Sequence, residues 1–277
     1  MFIIAVLITC HNRKEKTLHC LHSLYNQTGL DESNSIEVFL VDDGCTDGTP
    51  EAIRQDFPKV IIIQGSGELY WNRGMHLAWE TAAASKDFDY YLWLNDDTFL
   101  DEFALQCILN AANKTNNKSA ICGSTFSIES QKISYGGNSD NGELLVPNGD
   151  LQEVFSFNGN VVLIPKFVFS KVGILDKRFP HAIGDFDYAL RIRKENLKSF
   201  IVEDYVGTCE GSEKLPVWCS PIVPLTKRIS SLYSPLGNSH PYYYLIFELR
   251  HYGIIVSLKH FITIHLRLFF PKLWVTI

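Results

Sequence analysis

Two adjacent acids at the end of a buried apolar run bind a cation, cap a helix or grip a polar ligand. This chain carries two such pairs. The first lies in Val41-Asp42-Asp43-Gly44-Cys45-Thr46-Asp47-Gly48-Thr49 and the second in Leu94-Asn95-Asp96-Asp97-Thr98. A carboxylate such as Asp43 can accept hydrogen bonds from a ribose hydroxyl or a base imide, while Asp47 or Thr49 caps the following helix. Asp96 and Asp97 are costly beside a buried strand unless a cation compensates. A divalent ion bridging to a diphosphate fits, because Mg2+ and Mn2+ take hard oxygen ligands and few protein carboxylates. A cap for the next helix is the plainer alternative. A third cluster, Ile183-Gly184-Asp185-Phe186-Asp187-Tyr188-Ala189-Leu190-Arg191, opens a helix. There Asp185 can serve as general base, as N-cap, or as both. The fourth, Thr9-Cys10-His11-Asn12-Arg13, is weaker alone and lacks the G-x-G-x-x-G cradle of a dinucleotide site.

The elements that must position these clusters follow from the hydrophobic pattern. Apolar runs predict strands over residues 3–9, 37–41, 60–63, 90–94 and 120–123. Helical spacing predicts helices over 14–27, 49–57, 72–84 and 101–112. This alternation implies an α/β fold with a mostly parallel, doubly wound sheet and helices on both faces. In such sheets ligands bind beyond the carboxyl ends of the strands, where the clusters fall. After Gly123 the rhythm breaks: Tyr135-Gly136-Gly137-Asn138 and Asn141-Gly142 predict a hairpin excursion. A strand over 154–164, helices over 165–172 and 187–195 and a last strand over 200–202 follow. Residues 213–238, rich in proline and serine, read as a loop or linker before one or two amphipathic helices. The domain division expected is a catalytic part over 1–212, itself split near 123, and an appendage over 213–277.

Composition narrows the function classes. With 277 residues and 46% hydrophobic residues the chain can bury a sizeable core, and its net charge of −6 argues against a nucleic-acid partner held by a basic field. Seven scattered cysteines with no C-x-x-C spacing argue against a zinc site or disulfide framework and suit a reduced, cytoplasmic setting. The apolar run 2–8 reads as a first strand, since it lacks the flanks of a signal peptide. From Tyr242 the chain is apolar and aromatic, but Glu248, Arg250, Lys259, His260 and Arg267 interrupt any spanning window. The tail suits either a helix lying in the bilayer interface or helices packed on the catalytic part or on a second subunit.

Taken in this order, the clusters resemble the family 2 inverting glycosyltransferases, which have the GT-A fold. The resemblance covers roughly residues 2–212 and is nearest to the rhamnosyltransferase-like members of bacterial surface-polysaccharide pathways. It implies a nucleoside-diphosphate-sugar donor, contacted by Thr9 and Asp43, with Asp43 on the base. It implies Asp97 as ligand of a Mg2+ or Mn2+ ion, Asp96 on ribose or metal, and Asp185 as the base that deprotonates a glycan or lipid-linked acceptor. The segment Gly67–Gly74 matches the family's loop over the donor, which implies Arg73 on the diphosphate, against the plainer alternative of a capped helix with a solvated arginine, while Trp71 either stacks on a sugar or packs. Asn158 and Gly159 fall where the family shapes the acceptor and sugar pocket, and the plainer alternative there is a turn before a buried strand; Asp176 reads as structural. Two positions depart from the pattern. Gly184 stands where many relatives have Glu, and residues 206–212 lack the histidine that often helps hold the metal, leaving Cys209 or Glu210 as substitutes, or a plain loop. Competing readings are a sugar nucleotidyltransferase, opposed by the absence of glycine in 9–14, a non-catalytic nucleotide or glycan binder, and a nicotinamide dehydrogenase, opposed by the missing glycine fingerprint.

Overall fold

The first strand, β1 (Ile3–Cys10), is buried along both faces from Ile4 onward, as expected of a central parallel strand rich in β-branched residues. Its side chains alternate between two cores. Ile4, Val6 and Ile8 join one side of the sheet, and Ala5 and Leu7 the other. The structure, a computed structural model, describes residues 1–31, 33–211 and 216–273. After β1 come α1 (Lys14–Tyr25), β2 (Ser35–Asp42), α2 (Thr49–Asp56), β3 (Ile61–Gln64), α3 (Tyr70–Ser85), β4 (Tyr90–Leu94), β5 (Phe99–Leu100), α4 (Ala104–Lys114) and β6 (Ala120–Ser127). The excursion supplies β7 (Lys132–Tyr135) and β8 (Gly137–Asn138). Then follow β9 (Gln152–Val154), β10 (Ser156–Phe157), β11 (Val161–Pro165), α5 (Lys166–Val172), α6 (Gly184–Lys194) and β12 (Ser199–Thr208).

The sheet runs β3-β2-β1-β4-β11-β6-β12-β5, with β7 added beside β6 and β9 beside β12. Strands β3, β2, β1 and β4 are parallel, β11 is antiparallel to both its neighbours, and β12 is parallel to β6. An α/β fold with a large central sheet flanked by helices is therefore present; its β3-β2-β1-β4 half is parallel, and the rest is mixed, with β5, β7, β9 and β11 running against the other strands. Helices α1 and α4 cover one face with Leu21, Leu24 and Ile108; α3 and α6 cover the other with Trp79 and Tyr188.

Three expectations need correction. The run 154–164 is not one strand: Asn158-Gly159-Asn160 turns between β10 and β11, with the Asn158 N–H donating to the Gly136 carbonyl. The last strand is longer than 200–202, because β12 pairs with β6, β9 and β5 along its length. Within 213–238, read as a linker, α7 (Leu225–Leu232) forms and buries Leu232 against Trp218, Ile264 and Leu268. Two more helices follow, α8 (Pro241–His251) and α9 (Ile254–Phe269). Ser212 and Trp274 lie outside the described residues. Among the described residues no helix is long and apolar enough to cross a membrane.

Candidate active site

Asp43 sits just past the carboxyl end of β2 and is buried. Its carboxylate accepts three backbone N–H bonds, from Gly67 at 2.8 Å, Leu69 at 2.9 Å and Tyr70 at 3.0 Å. The acid expected to meet a nucleobase thus also folds the loop that enters α3. Close approach there needs glycine: a Cβ on Gly65 would lie 2.7 Å from Asp43 Oδ1. The N-cap of α2 is Gly48 rather than Asp47 or Thr49, but the Asp47 carboxylate accepts the first N–H of two helices, from Thr49 at 3.1 Å and, in α1, from Lys14 at 3.0 Å. Thr9, at the end of β1, is buried, and a Cβ on Gly74 would come within 2.2 Å of its Oγ1, so β1 and α3 touch at that point.

Trp71 is the hub of the site. Its indole N–H donates to Asn95 Oδ1 at 2.6 Å, which ties α3 to the end of β4. Its six-membered ring rests on Gly159, where a Cβ would come within 2.4 Å of it and 3.5 Å from the Asp185 Cβ. The indole packs with Gly159 beneath it, and Asn158 is half-buried. The Gly159 N–H donates to Asp185 Oδ2 at 3.0 Å, and the Phe186 N–H to Asp185 Oδ1 at 2.9 Å. Burial pushes Asp185 up to about 6 against the pull of these bonds. Just before it, Ile183 is buried with φ 78°, a left-handed conformation that costs a β-branched residue on the order of 1–3 kcal/mol.

The acid pair has an internal cation that the sequence did not assign. Arg13 Nη1 donates to Asp97 Oδ2 at 2.8 Å and to Asp96 Oδ1 at 3.2 Å. Its other donors have no protein partner among the described residues. Burial raises Asp96 to about 6, although Arg13 pulls it down. Asp97 is more open, and its Oδ1 has Cys209 Sγ at 3.9 Å. Burial and the Asp97 charge push the Cys209 thiol up to about 11, so it is neutral. Glu210 turns away, onto Ser127 Oγ and the Ile128 N–H, and is no substitute ligand. His181 is another residue that sequence reading passed over. Burial first, and then the charge of Arg13, lower its pKa, keeping the imidazole neutral. Arg73 Nε donates to the Lys177 carbonyl at 3.0 Å.

A family model described as "Glycosyl transferase family 2" matches residues 5–179. The chain belongs to glycosyl transferase family 2. Among solved structures it is similar to S. aureus TarS 1–349 in complex with UDP-GlcNAc, with TM-score 0.61 and 12% identity over 100% of this chain and 77% of that one. The TarS 1–349 complex with UDP gives TM-score 0.57 and 13% identity over 98% and 87%. A longer TarS structure gives 0.56 and 12% over 99% of this chain, which spans 53% of that chain. At this identity the likeness is one of fold. No curated protein matches the chain.

Gly184 is required on steric grounds. Asn72, fully buried, donates to the carbonyls of Asp176 at 2.8 Å and Phe179 at 2.6 Å. A Cβ on Gly184 would lie 1.8 Å from its Oδ1, so no side chain fits there. Below the site, fully buried Asp187 accepts bonds from Arg191 at 2.9 Å, Arg250 at 2.5 Å and His251 at 2.9 Å. Arg250 also reaches Asp176 Oδ2 at 2.6 Å. Helix α8 is thereby fastened to α6 and to the turn that grips α3, and Asp176 is structural, as expected.

Proposed function

We propose that this family 2 member is an inverting glycosyltransferase of the hexosyl- or rhamnosyltransferase class. It would move a sugar from a nucleoside-diphosphate sugar to a hydroxyl of a glycan or lipid-linked saccharide during surface-polysaccharide assembly. One observation carries the reading: through Trp71, the wall that holds Asp185 is continuous with the strand end that holds Asp96, Asp97 and Arg13. A site with a poised base on one side and cation-paired acids on the other suits attack on a sugar whose leaving group is a diphosphate. The complexes of TarS with UDP and UDP-GlcNAc support a donor of this kind. The seven free cysteines support a reducing, cytoplasmic setting.

Members of the family commonly use a divalent metal. Among the described residues no three His, Cys, Asp or Glu side chains group around one point. The donor set still fits, because Mg2+ and Mn2+ are held by one or two carboxylates together with substrate phosphates. Asp97 Oδ1, which accepts nothing stronger than the Cys209 thiol, would hold the ion, with Asp96 behind it. The ion when bound would neutralise charge developing on the leaving diphosphate. Arg13 contributes a fixed positive charge at the same place, and the Asp43 loop sets the entry of α3. Asp185 takes the proton from the acceptor hydroxyl on the face opposite the leaving group, and attack from that side inverts the anomeric centre.

The test has two arms. A thermal-shift screen with UDP, GDP, dTDP and NAD, each with Mn2+ or EDTA, should show stabilisation by one nucleoside diphosphate that is lost with EDTA. Asp185→Asn should lower turnover about 10²- to 10⁴-fold while leaving donor binding intact. Stabilisation by NAD, or turnover close to normal in the variant, would overturn the reading.

A further inference from the structure

The C-terminal helices leave one apolar face uncovered. Helix α9 buries Ser257, Ile264 and Leu268 toward α7 and α8. On another side Ile255, Leu258, Ile262, Leu266 and Phe269, spaced by three and four residues, form a continuous row, each between 45% and 82% exposed. Helix α7 and Tyr233 at its C-terminal cap carry a second row, Leu225, Ile229 and Tyr233, all exposed. The Tyr233 hydroxyl bonds His265 Nε2 at 2.9 Å, at the border of the α9 row, so the two rows meet there. An apolar surface of this extent is uncommon on a protein that works alone in water.

Charge says what covers it. Residues 216–273 contain six Lys and Arg against a single carboxylate, in a chain where Asp and Glu otherwise outnumber Lys and Arg. That carboxylate, Glu248, is buried and bonded to His260, so no acid is exposed among these described residues. Lys259 lies beside the α9 row, Lys272 just beyond it, and Lys227 on α7; all three are exposed, and none pairs with a carboxylate among the described residues. A symmetric contact with a second copy would bring this cationic face against itself with no acid to offset it. Apolar side chains bordered by lysine match the interface of an anionic bilayer, where alkyl and aromatic groups enter the headgroup boundary and ammonium groups meet phosphate.

We propose that the α7–α9 face is a docking surface for an anionic lipid bilayer, on which the protein lies peripherally. The docking goes beyond the transferase reading and does not depend on it, because lipid binding is read without donor or acceptor. Cosedimentation of the full chain with phosphatidylcholine vesicles, with and without phosphatidylglycerol, tests it. Affinity should be on the order of a hundred-fold higher for the anionic vesicles, the effect of three lysines near such a surface. Leu258→Glu/Ile262→Glu and Lys259→Glu/Lys272→Glu, all at exposed positions, should each return the protein to the supernatant without changing its melting temperature. Wild-type protein that stays in the supernatant with both kinds of vesicle would overturn the proposal. So would light scattering that shows a dimer which Leu258→Glu/Ile262→Glu splits, since the face would then join two copies.

Discussion

Asp185 meets two opposed demands, since burial makes it a stronger base and also makes its ionised form costly. With its carboxyl raised to about 6, turnover should fall as pH drops through that value. Asp96 is also raised to about 6, so the profile of Asp96→Asn is the control: a limb retained near 6 belongs to Asp185. The sign for stability is the reverse. An acid raised from its ordinary value of 3.8 favours the fold below that value, and this stability is lost as pH rises through 6. Asp185→Asn should therefore lose this pH dependence, so that its urea midpoint no longer falls between about pH 4 and pH 6 as that of wild type does. At a second position, Gly184→Ala and Asn72→Ala should each destabilise the protein. Together they should cost less than their sum by roughly 0.5–3 kcal/mol, because the methyl group enters space the amide has left. The sequence shows the acids by type and by their places at strand ends. It does not show Arg13 as their partner, since that pairing depends on where α1 starts relative to β4. Nor does it show the fit of Asn72 to Gly184, which exists only once α3 and α6 cross.

At the scale of elements, both helices that frame the site begin on strained residues: Tyr70, with φ 59°, opens α3, and Ile183 precedes α6. The strain is held by neighbours, through the Asp43 carboxylate in one case and the core around Phe179 and Leu190 in the other. Helix α8 completes the support by giving Arg250 and His251 to Asp187. Arg250→Leu should destabilise the protein by about 3–5 kcal/mol, because a buried carboxylate loses a charged partner; the midpoint of urea unfolding measures it. The parallel strands and their helices were legible because their apolar runs and 3.6-residue spacing are strong. The turn at Asn158–Asn160 was legible only as one of two readings of that segment, because the apolar sequence on both sides also suits one continuous strand; the close approach of Trp71, far away in the chain, makes the break necessary. Helix α7 was hidden by the prolines and serines around it, although its own Leu225, Ile229 and Leu232 keep helical spacing.

At the scale of the whole molecule, α8 and α9 are read from sequence as a tail, yet α8 is part of the support of the site. Composition could not reveal this, since Arg250 and His251 look like interruptions of an apolar segment until Asp187 is placed beneath them. The same tail concentrates positive charge in one region of a chain whose total is −6. Chromatography should expose that division. An anion exchanger is expected to retain the protein at neutral pH through its acidic majority. A cation exchanger at low salt should retain it as well, gripping only the C-terminal helices, and Lys227→Glu/Lys259→Glu/Lys272→Glu should abolish the second retention alone. A resin bead would thus sort the molecule by orientation, holding opposite ends of it depending on the sign of the matrix.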